Sequence, residues 1–256
     1  MSDLPAGTLT PGVCSVTLRA DSIEQVVEAS AAAGLAGIEW GTDVHLRDTV
    51  DAVRAARATV SAGLRVLSLG SYYRVGSAAD FDAVLAIARA AAAPRIRVWA
   101  GDMGSAQSGP DIWSAVVADA RRIGRLAAVH EMDLAFEYHG GTLTDSAEST
   151  LELLERVGCA NIGTYWQPPV GMPDQEALVS LHKILAHVIG VHAFSWWPET
   201  ERLPLSGRSQ LWHEASGALR STGRNLDVLL EFVADDSPAQ LLRDAAYLRR
   251  LGVGEA

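Results

Sequence analysis

Two glutamates stand at the ends of apolar runs, where an unpaired carboxylate is out of place. Glu137 follows the run Leu134–Phe136, and Glu231 follows Leu229–Leu230. Burying a carboxylate among apolar residues costs free energy unless the group is paired with a cation or binds a metal ion. Glu137 and Glu231 are therefore the first candidates for chemistry.

A histidine and a glutamine occupy comparable positions. His192 lies inside the apolar run Val188–Phe194, and Gln167 follows Tyr165 and Trp166. Two carboxylates, one imidazole and one amide oxygen form a ligand set that suits Mn²⁺, Mg²⁺, Co²⁺ or Zn²⁺. Each residue alone could also have a purely structural role, for example as a core histidine or as a glutamate paired with an arginine. Their shared position near strand ends favours the metal site.

The elements that must position these residues follow a simple alternation. Short runs rich in Val, Ile and Leu alternate eight times with longer stretches of helical periodicity. The predicted strands are Gly12–Leu18, Ala36–Trp40, Leu64–Leu69, Arg95–Ala100, Asp133–Tyr138, Asn161–Trp166, Val188–Phe194 and Leu226–Phe232. The predicted helices are Ile23–Ala33, Asp48–Ala62, Phe81–Ala92, Asp111–His130, Ala147–Val157, Gln175–Ala186, Gln210–Thr222 and Pro238–Leu251.

Apolar strands that are each followed by a helix are typical of a parallel sheet. Eight such units close a barrel of about 250 residues, which accounts for the 256 residues of the chain. We therefore predict an α/β fold, a single (β/α)8 TIM barrel that forms one domain over residues 1–256. A doubly wound open sheet is the alternative, but it would carry a glycine-rich turn after its first strand, and Leu18–Ser22 contains no glycine.

In a TIM barrel, side chains at the carboxyl ends of the strands converge on one mouth, where active sites lie. Glu39 and His45 follow the second predicted strand, and His139 lies two residues after Glu137. These three residues could contact a substrate, or they could hold other side chains in place. Four tryptophans also stand at strand ends: Trp40, Trp99, Trp166 and Trp196. A barrel tryptophan is often core, but four at one mouth favour a sugar-like ligand.

Composition excludes several classes of function. The net charge of −10 repels nucleic acid and anionic membranes. Lys183 is the only lysine and falls in a predicted helix, which disfavours a Schiff-base aldolase. Two cysteines, Cys14 and Cys159, are too few for a disulfide scaffold or a thiolate metal cluster. With no signal-peptide pattern and no long apolar stretch, we expect a cytoplasmic protein without membrane contact.

Several short motifs occur in a particular order along the chain. They are Ala36–Gly41 after a first βα unit, the Glu-x-His of Glu137 and His139, Val191-His192, the loop from Arg202 to Gly207, and Leu230-Glu231. In this order and placement they resemble the xylose isomerase-like barrel family. That family includes sugar-phosphate and ketose epimerases, hydroxypyruvate isomerases and inosose dehydratases. The resemblance covers essentially the whole chain.

The resemblance implies roles for the candidate residues. Glu137 and Glu231 would each bind a divalent cation and flank the substrate carbon as an acid/base pair, with His192 as a third ligand. The usual fourth ligand is an aspartate at the end of the sixth strand, where this chain has Gln167. The missing negative charge should weaken binding of the cation or favour a substrate of different charge. The alternative, that Gln167 only donates or accepts a hydrogen bond with the substrate, is equally open. Arg202 would lie near the substrate or be solvated.

A divalent cation that is chelated by a carbonyl and an adjacent hydroxyl acidifies the neighbouring C–H bond and stabilises an enediolate. Proton return then gives epimerisation or isomerisation, whereas loss of the hydroxyl gives dehydration. We expect a metal-dependent isomerase or epimerase of a small sugar or hydroxycarbonyl compound, in a chain that could form homo-oligomers. The alternatives are an inosose-dehydratase-like lyase acting on a keto-polyol, and a barrel of the same family without catalysis.

Overall fold

Eight parallel strands in chain order form a closed barrel in the computed structural model, which describes residues 7–77 and 79–253. The strands are β1 Leu9–Cys14, β2 Gly37–Gly41, β3 Arg65–Arg74, β4 Arg95–Trp99, β5 Asp133–Phe136, β6 Ile162–Trp166, β7 Val188–Ala193 and β8 Leu226–Leu230. Each strand pairs with the next, and β8 closes on β1. The predicted TIM barrel is confirmed. Residues 1–6, 78 and 254–256 of the predicted domain lie outside the described residues.

A helix follows each strand. The helices are α1 Ile23–Ala32, α2 Thr49–Ser61, α3 Phe81–Ala90, α4 Pro110–Ala128, α5 Ala147–Val157, α6 Asp174–Ile184, α7 Ser209–Ser221 and α8 Pro238–Val253. Local sequence sets several of their ends. Ser22 and Gln25 form a capping box at the start of α1, and Asp48 accepts two backbone N–H groups at the start of α2. Gly158, with a φ of 59°, ends α5 in the left-handed conformation.

The predicted first strand, Gly12–Leu18, is wrong at both ends. The strand starts at Leu9 and ends at Cys14, and Ser15–Leu18 form a 3-10 turn. Val16 and Leu18 remain buried in this turn. Val16 and Leu18 alternate with Ser15 and Thr17, which is the two-residue pattern of a strand, so the sequence does not reveal that the backbone turns.

Strand ends decide where the candidate glutamates stand. The structure ends β5 at Phe136 and β8 at Leu230, each two residues before the end predicted from sequence. Glu137 and Glu231 are thus the first residues of the loops that leave the barrel. β3 is longer than predicted and continues past Leu69 to Arg74, so this strand extends further at its carboxyl end.

The long connection after β7 is partly ordered into secondary structure. Ser195–Trp196 pairs antiparallel with Arg202–Leu203, and we call this pair the ribbon. Arg208, which follows the ribbon, is buried and donates hydrogen bonds to Asp174 and to the carbonyl of Met172, both at 2.7 Å. The connection is therefore anchored to the start of α6.

A small apolar cluster supports the site from below. It comprises Cys14, Val16, Leu67, Ala135, Tyr165 and Leu229. Tyr165 is fully buried, and its ring packs edge-on against His192 with centroids 5.0 Å apart. A Cβ on Gly190 would lie 2.5 Å from this ring, so a glycine is needed there. Among the residues that the structure describes, no helix is long and apolar enough to cross a membrane.

Candidate active site

Both candidate glutamates are buried at the carboxyl end of the barrel. Glu137 is 4% exposed and Glu231 is 7% exposed. The Glu137 N–H donates to the carbonyl of Val98 at 3.0 Å, and the Glu231 N–H donates to the carbonyl of Ala193 at 3.1 Å. Each residue therefore keeps a hydrogen bond to the neighbouring strand although its own strand has ended.

His192 is the residue on which the predicted ligands converge. It is fully buried within β7. Its Nδ1 lies 2.9 Å from Oε1 of Gln167, 3.5 Å from Oε2 of Glu231 and 3.8 Å from Oε1 of Glu137. The four residues predicted from sequence as a ligand set thus meet at one point, although they come from four different strands and loops.

These separations, from 2.9 to 3.8 Å, are close to the spacing of ligand atoms around a divalent cation. Bonds of about 2.0–2.2 Å from nitrogen and oxygen to one ion place neighbouring ligand atoms about 3–3.5 Å apart. Cys14, His192 and Glu231 also lie within 4.8 Å of one another through their potential ligand atoms. Burial raises the pKa of the Cys14 thiol well above its usual value, however, so this sulfur stays protonated and is the poorer ligand.

Glu39 lies beneath His192, outside the lining of the cavity described below. It is 2% exposed, its Oε1 is 3.2 Å from Nε2 of His192, and its Oε2 accepts a hydrogen bond from Ser68 at 2.6 Å. Glu39 therefore holds other side chains in place, while substrate contact, the other role open from sequence, stays a prediction. A carboxylate bound to Nε2 leaves Nδ1 as the free ligand atom, as in many metal-binding histidines.

Arg97 was missed by the sequence reasoning. It is 4% exposed on β4, and its guanidinium donates hydrogen bonds to Glu137 and, at 3.2 Å, to Glu39. The signal was present in the sequence, because an arginine inside a buried strand needs acidic partners. Its charge therefore joins Glu39 of β2 to Glu137, which follows β5.

The pKa values of these groups reflect burial and mutual charge. Burial opposes the charge of Glu39, but His192 and Arg97 outweigh it and hold the pKa of Glu39 well below its usual value. Burial also lowers the pKa of His192, yet Glu231 and Glu39 together raise it to about 9. The pKa of Glu231 is raised, mainly by burial and further by Glu137.

Charge balance also favours a cation. Glu39, Glu137 and Glu231 are buried with the guanidinium of Arg97 and, at neutral pH, with a protonated His192, so the ionised cluster carries a net charge of −1, which becomes −2 once His192 loses its proton. Uncompensated buried charge is costly. A divalent cation would neutralise this charge and replace the proton on Nδ1 of His192.

A cavity of about 160 Å³ opens above the glutamates. Cavities near this volume hold molecules about as large as benzene. Its lining residues are Tyr72, Arg97, Trp99, Glu137, His139, Gln167, Val170, Phe194, Trp196, Glu231 and Phe232. Three of the predicted substrate contacts, Trp99, His139 and Trp196, are among them. The rings of His139 and Trp99 stack with centroids 4.6 Å apart.

Three predicted mouth residues lie elsewhere. Trp166 is fully buried and its indole N–H donates to Ser180 of α6 at 3.1 Å, because alternation along β6 turns it outward while Gln167 faces the mouth. Trp40 is likewise buried in the core, where it donates to Thr59 of α2. The ring of His45 is bonded to Ser15 and to the carbonyl of Asp21, each at 3.1 Å. The expectation of substrate contact for Trp166 and His45 is therefore corrected.

Arg202 lies behind the cavity wall. Its guanidinium packs over the rings of Trp196 and Phe232, at 5.3 and 4.9 Å from their centroids. It also donates to Oδ1 of Asp236 at 2.6 Å. Arg202 thus supports two aromatic residues that line the cavity and is not itself among the lining residues, and its direct contact with substrate stays a prediction.

The sequence model of the xylose isomerase-like TIM barrel family matches residues 27–251. The chain belongs to this family. The match covers seven of the eight barrel strands and includes all four candidate ligands.

Proteins that are similar to this chain differ in their named activities. A 3-dehydroshikimate dehydratase from Bacillus anthracis is 28% identical over 163 residues, which is 59% of this chain and 58% of that protein's length. The crystal structure of a probable 3-DHS dehydratase from the same organism superposes with a TM-score of 0.77 at 20% identity, covering 95% of this chain and 98% of the other. A D-psicose 3-epimerase from Clostridium cellulolyticum gives a TM-score of 0.72 at 13% identity, covering 96% and 100%. These structural likenesses concern the fold.

Proposed function

We propose that this barrel is a divalent-metal-dependent isomerase or epimerase of a small sugar or hydroxycarbonyl compound. The observation that carries the proposal is the convergence of Gln167, Glu231 and Glu137 on Nδ1 of His192 at distances of 2.9, 3.5 and 3.8 Å. Gln167, Glu231 and Glu137 line a small, aromatic-walled cavity, and His192 lies buried beside them. A buried ligand set below such a cavity is the usual arrangement of a catalytic metal site.

The cation would be held by Glu137, Gln167, His192 and Glu231. A bound divalent cation supplies Lewis acidity, which lowers the pKa of a C–H bond beside a chelated carbonyl and stabilises the resulting enediolate. Gln167 contributes an oxygen without charge, so the site binds the ion through two carboxylates instead of three. In this proposal Glu39 retains the Nε2 proton of His192 and directs Nδ1 towards the cavity.

Glu137 and Glu231 would act as the proton-transferring pair. Both line the cavity, so one carboxylate can remove the proton from the substrate carbon while the other returns it. Arg97 holds Glu137 by one oxygen, Oε2, and leaves Oε1 facing His192. Trp99, Trp196 and Phe232 shield the reacting carbon from water and offer faces for C–H groups.

Dehydration is the second candidate. The 28% sequence identity to a 3-dehydroshikimate dehydratase over 163 residues favours dehydration. One of the same carboxylates would remove the proton beside the carbonyl, and the other, in its protonated form, would give its proton to the hydroxyl on the next carbon, which leaves as water. The substrate would then be a cyclic keto-polyol or a related hydroxyketone, and these residues serve both reactions.

A substrate panel in D₂O tests the proposal. The protein with added Mn²⁺ is incubated with D-psicose, D-tagatose, an inosose and 3-dehydroshikimate, and products are followed by NMR and ultraviolet absorbance. Deuterium at the carbon beside the carbonyl without loss of water is expected for the isomerase or epimerase. A dehydrated, absorbing product would replace this proposal with the lyase. Absence of exchange and of product across the panel would favour a barrel without catalysis.

Residence in the cytoplasm and homo-oligomer formation stay predictions.

A further inference from the structure

Glu231 precedes a residue whose backbone conformation is unfavourable unless neighbouring contacts stabilise it. The next residue, Phe232, has a φ of 52°. The left-handed region is strongly disfavoured for a bulky side chain and persists only where surrounding contacts enforce it. Asp235 and Asp236, later in the same loop, also have positive φ values, of 58° and 48°.

Thr17 supplies contacts on both sides of Glu231. Its hydroxyl donates to the carbonyl of Leu230 at 3.2 Å and accepts from the N–H of Phe232 at 3.1 Å. Thr17 is 3% exposed and lies in the 3-10 turn that follows β1. One hydroxyl therefore binds the main chain immediately before and immediately after Glu231.

Glu137 has a similar support. The hydroxyl of Thr144 donates to the carbonyl of Glu137 at 2.5 Å, and Thr144 is fully buried. The hydroxyl of Thr142 lies 3.0 Å from that of Thr144 and extends the network. Both glutamates of the site are thus held through their main chain by a buried threonine, which comes from the turn after β1 for Glu231 and from the same loop for Glu137.

We propose that Thr17 and Thr144 are positioning residues, which fix the main chain of Glu231 and Glu137 so that both carboxylates face Nδ1 of His192. The role of the carboxylates rests on the proposed function, whereas their placement does not. A hydroxyl both donates and accepts, so serine keeps these bonds and valine, of nearly the same shape, loses them.

Five variants separate positioning from general stability. Thr17→Val and Thr144→Val remove the hydroxyls, and Thr17→Ser and Thr144→Ser keep them. Thr150→Val is the matched control, because Thr150 is also fully buried and its hydroxyl donates to the carbonyl of Ser146 at 2.7 Å, within α5. Thermal melts and circular dichroism establish that each variant folds.

Calorimetric titration of the metal-free proteins with Mn²⁺ gives one readout. Loss of a group that orients a ligand typically weakens metal binding 10- to 100-fold. We expect at least a tenfold higher Kd for each valine variant, and a Kd within about twofold of wild type for the serine variants and for Thr150→Val. With an active substrate, kcat should fall about tenfold or more in the valine variants with little change in KM. Wild-type Kd and kcat in the valine variants would overturn the proposal.

Crystal structures of the wild type and Thr17→Val give a readout that is independent of function. We expect Oε2 of Glu231 to move by more than about 1 Å from its position 3.5 Å from Nδ1 of His192. An unchanged position would overturn the positioning role even if the protein binds Mn²⁺. Conversely, a wild type that binds no Mn²⁺ would contradict the proposed function and leave this structural test valid.

Discussion

Arg97 explains how the barrel accommodates several buried glutamates. Its guanidinium pairs with Glu39 and Glu137, while His192 lies between Glu39 and Glu231. Each buried carboxylate therefore faces a cationic or hydrogen-bonding partner, which offsets the cost of removing it from water. This network leaves one oxygen of Glu137 and one of Glu231 directed towards Nδ1 of His192.

Replacing either proton-transferring glutamate should abolish most of the activity. For Glu137→Gln and Glu231→Gln we expect kcat to fall by about 10²–10⁴, because general acid/base catalysis contributes on that scale. Steady-state kinetics on the active substrate of the panel measure this effect. Glu155→Gln is the control, since Glu155 is exposed on α5, and it should retain wild-type kcat. A glutamine variant with more than half of the wild-type rate would remove that residue from the mechanism.

Removing the guanidinium of Arg97, which Glu39 and Glu137 share, should destabilise the fold. Arg97→Met leaves Glu39 and Glu137 without their guanidinium, and breaking a buried pair in this way costs about 3–5 kcal/mol. Urea unfolding measures the loss of unfolding free energy. Arg54→Met is the control, because its pair with Glu24 is exposed, and it should leave stability nearly unchanged. Equal effects in the two variants would argue against the buried network.

The sequence predicts the four candidate ligands but not the network that holds them. Glu137, Gln167, His192 and Glu231 could be predicted because barrel topology brings strand ends together. The need of Arg97 for an acidic partner could be expected, but its particular partners and those of Thr17 could not, because they lie far away in the chain and no local pattern specifies which polar groups will meet. Trp166 was assigned to the wrong side of its strand, since the strand ending alone does not give the direction of each side chain.

At the scale of elements, β6 and β7 set the depth of the site. Gly190 on β7 lets the ring of Tyr165 from β6 fill the barrel beneath His192. The ribbon and the loop after β8 then build the wall, where Arg202 packs against Trp196 and Phe232. Helix positions were largely predictable from periodicity and caps. The turn at Ser15–Leu18 was not, because its burial pattern matches that of a strand.

A methyl group at position 190 should disturb the packing of the Tyr165 ring beneath His192. In Gly190→Ala the new Cβ would lie 2.5 Å from the Tyr165 ring, and such overpacking costs about 1–3 kcal/mol. Chemical unfolding measures the change. Gly217→Ala in α7 is the matched control, because its added methyl group would meet no neighbouring atom within 4 Å, and it should gain about 0.4–1 kcal/mol. Destabilisation by both variants would show that the Tyr165 contact is not the cause.

At the scale of the whole molecule, a cation bound at the mouth would join loops that follow β5, β6 and β8 to a side chain of β7. Ligands that bind only the folded state stabilise it by mass action, by about 2.7 kcal/mol at a concentration 100 times the Kd. Metal binding should therefore be visible in the unfolding of the entire barrel.

Thermal melts of the metal-free protein test this coupling. With Mn²⁺ at about 100 times its Kd we expect Tm to rise by about 5–10 °C. The double variant Glu137→Gln/Glu231→Gln should show no such rise, because it keeps the shape of the site but loses both carboxylate ligands. An equal rise in the double variant would mean that Mn²⁺ stabilises the protein from another site.

The central claim is that Glu137, Gln167, His192 and Glu231 hold a divalent cation. Anomalous diffraction from crystals grown with Mn²⁺, collected above the manganese edge, tests it most directly. We predict an anomalous peak bonded to Nδ1 of His192 and to oxygens of Glu137 and Glu231, at about 2.0–2.2 Å. Full-occupancy density for the protein without a peak among these atoms, or with a peak only elsewhere, would contradict the account.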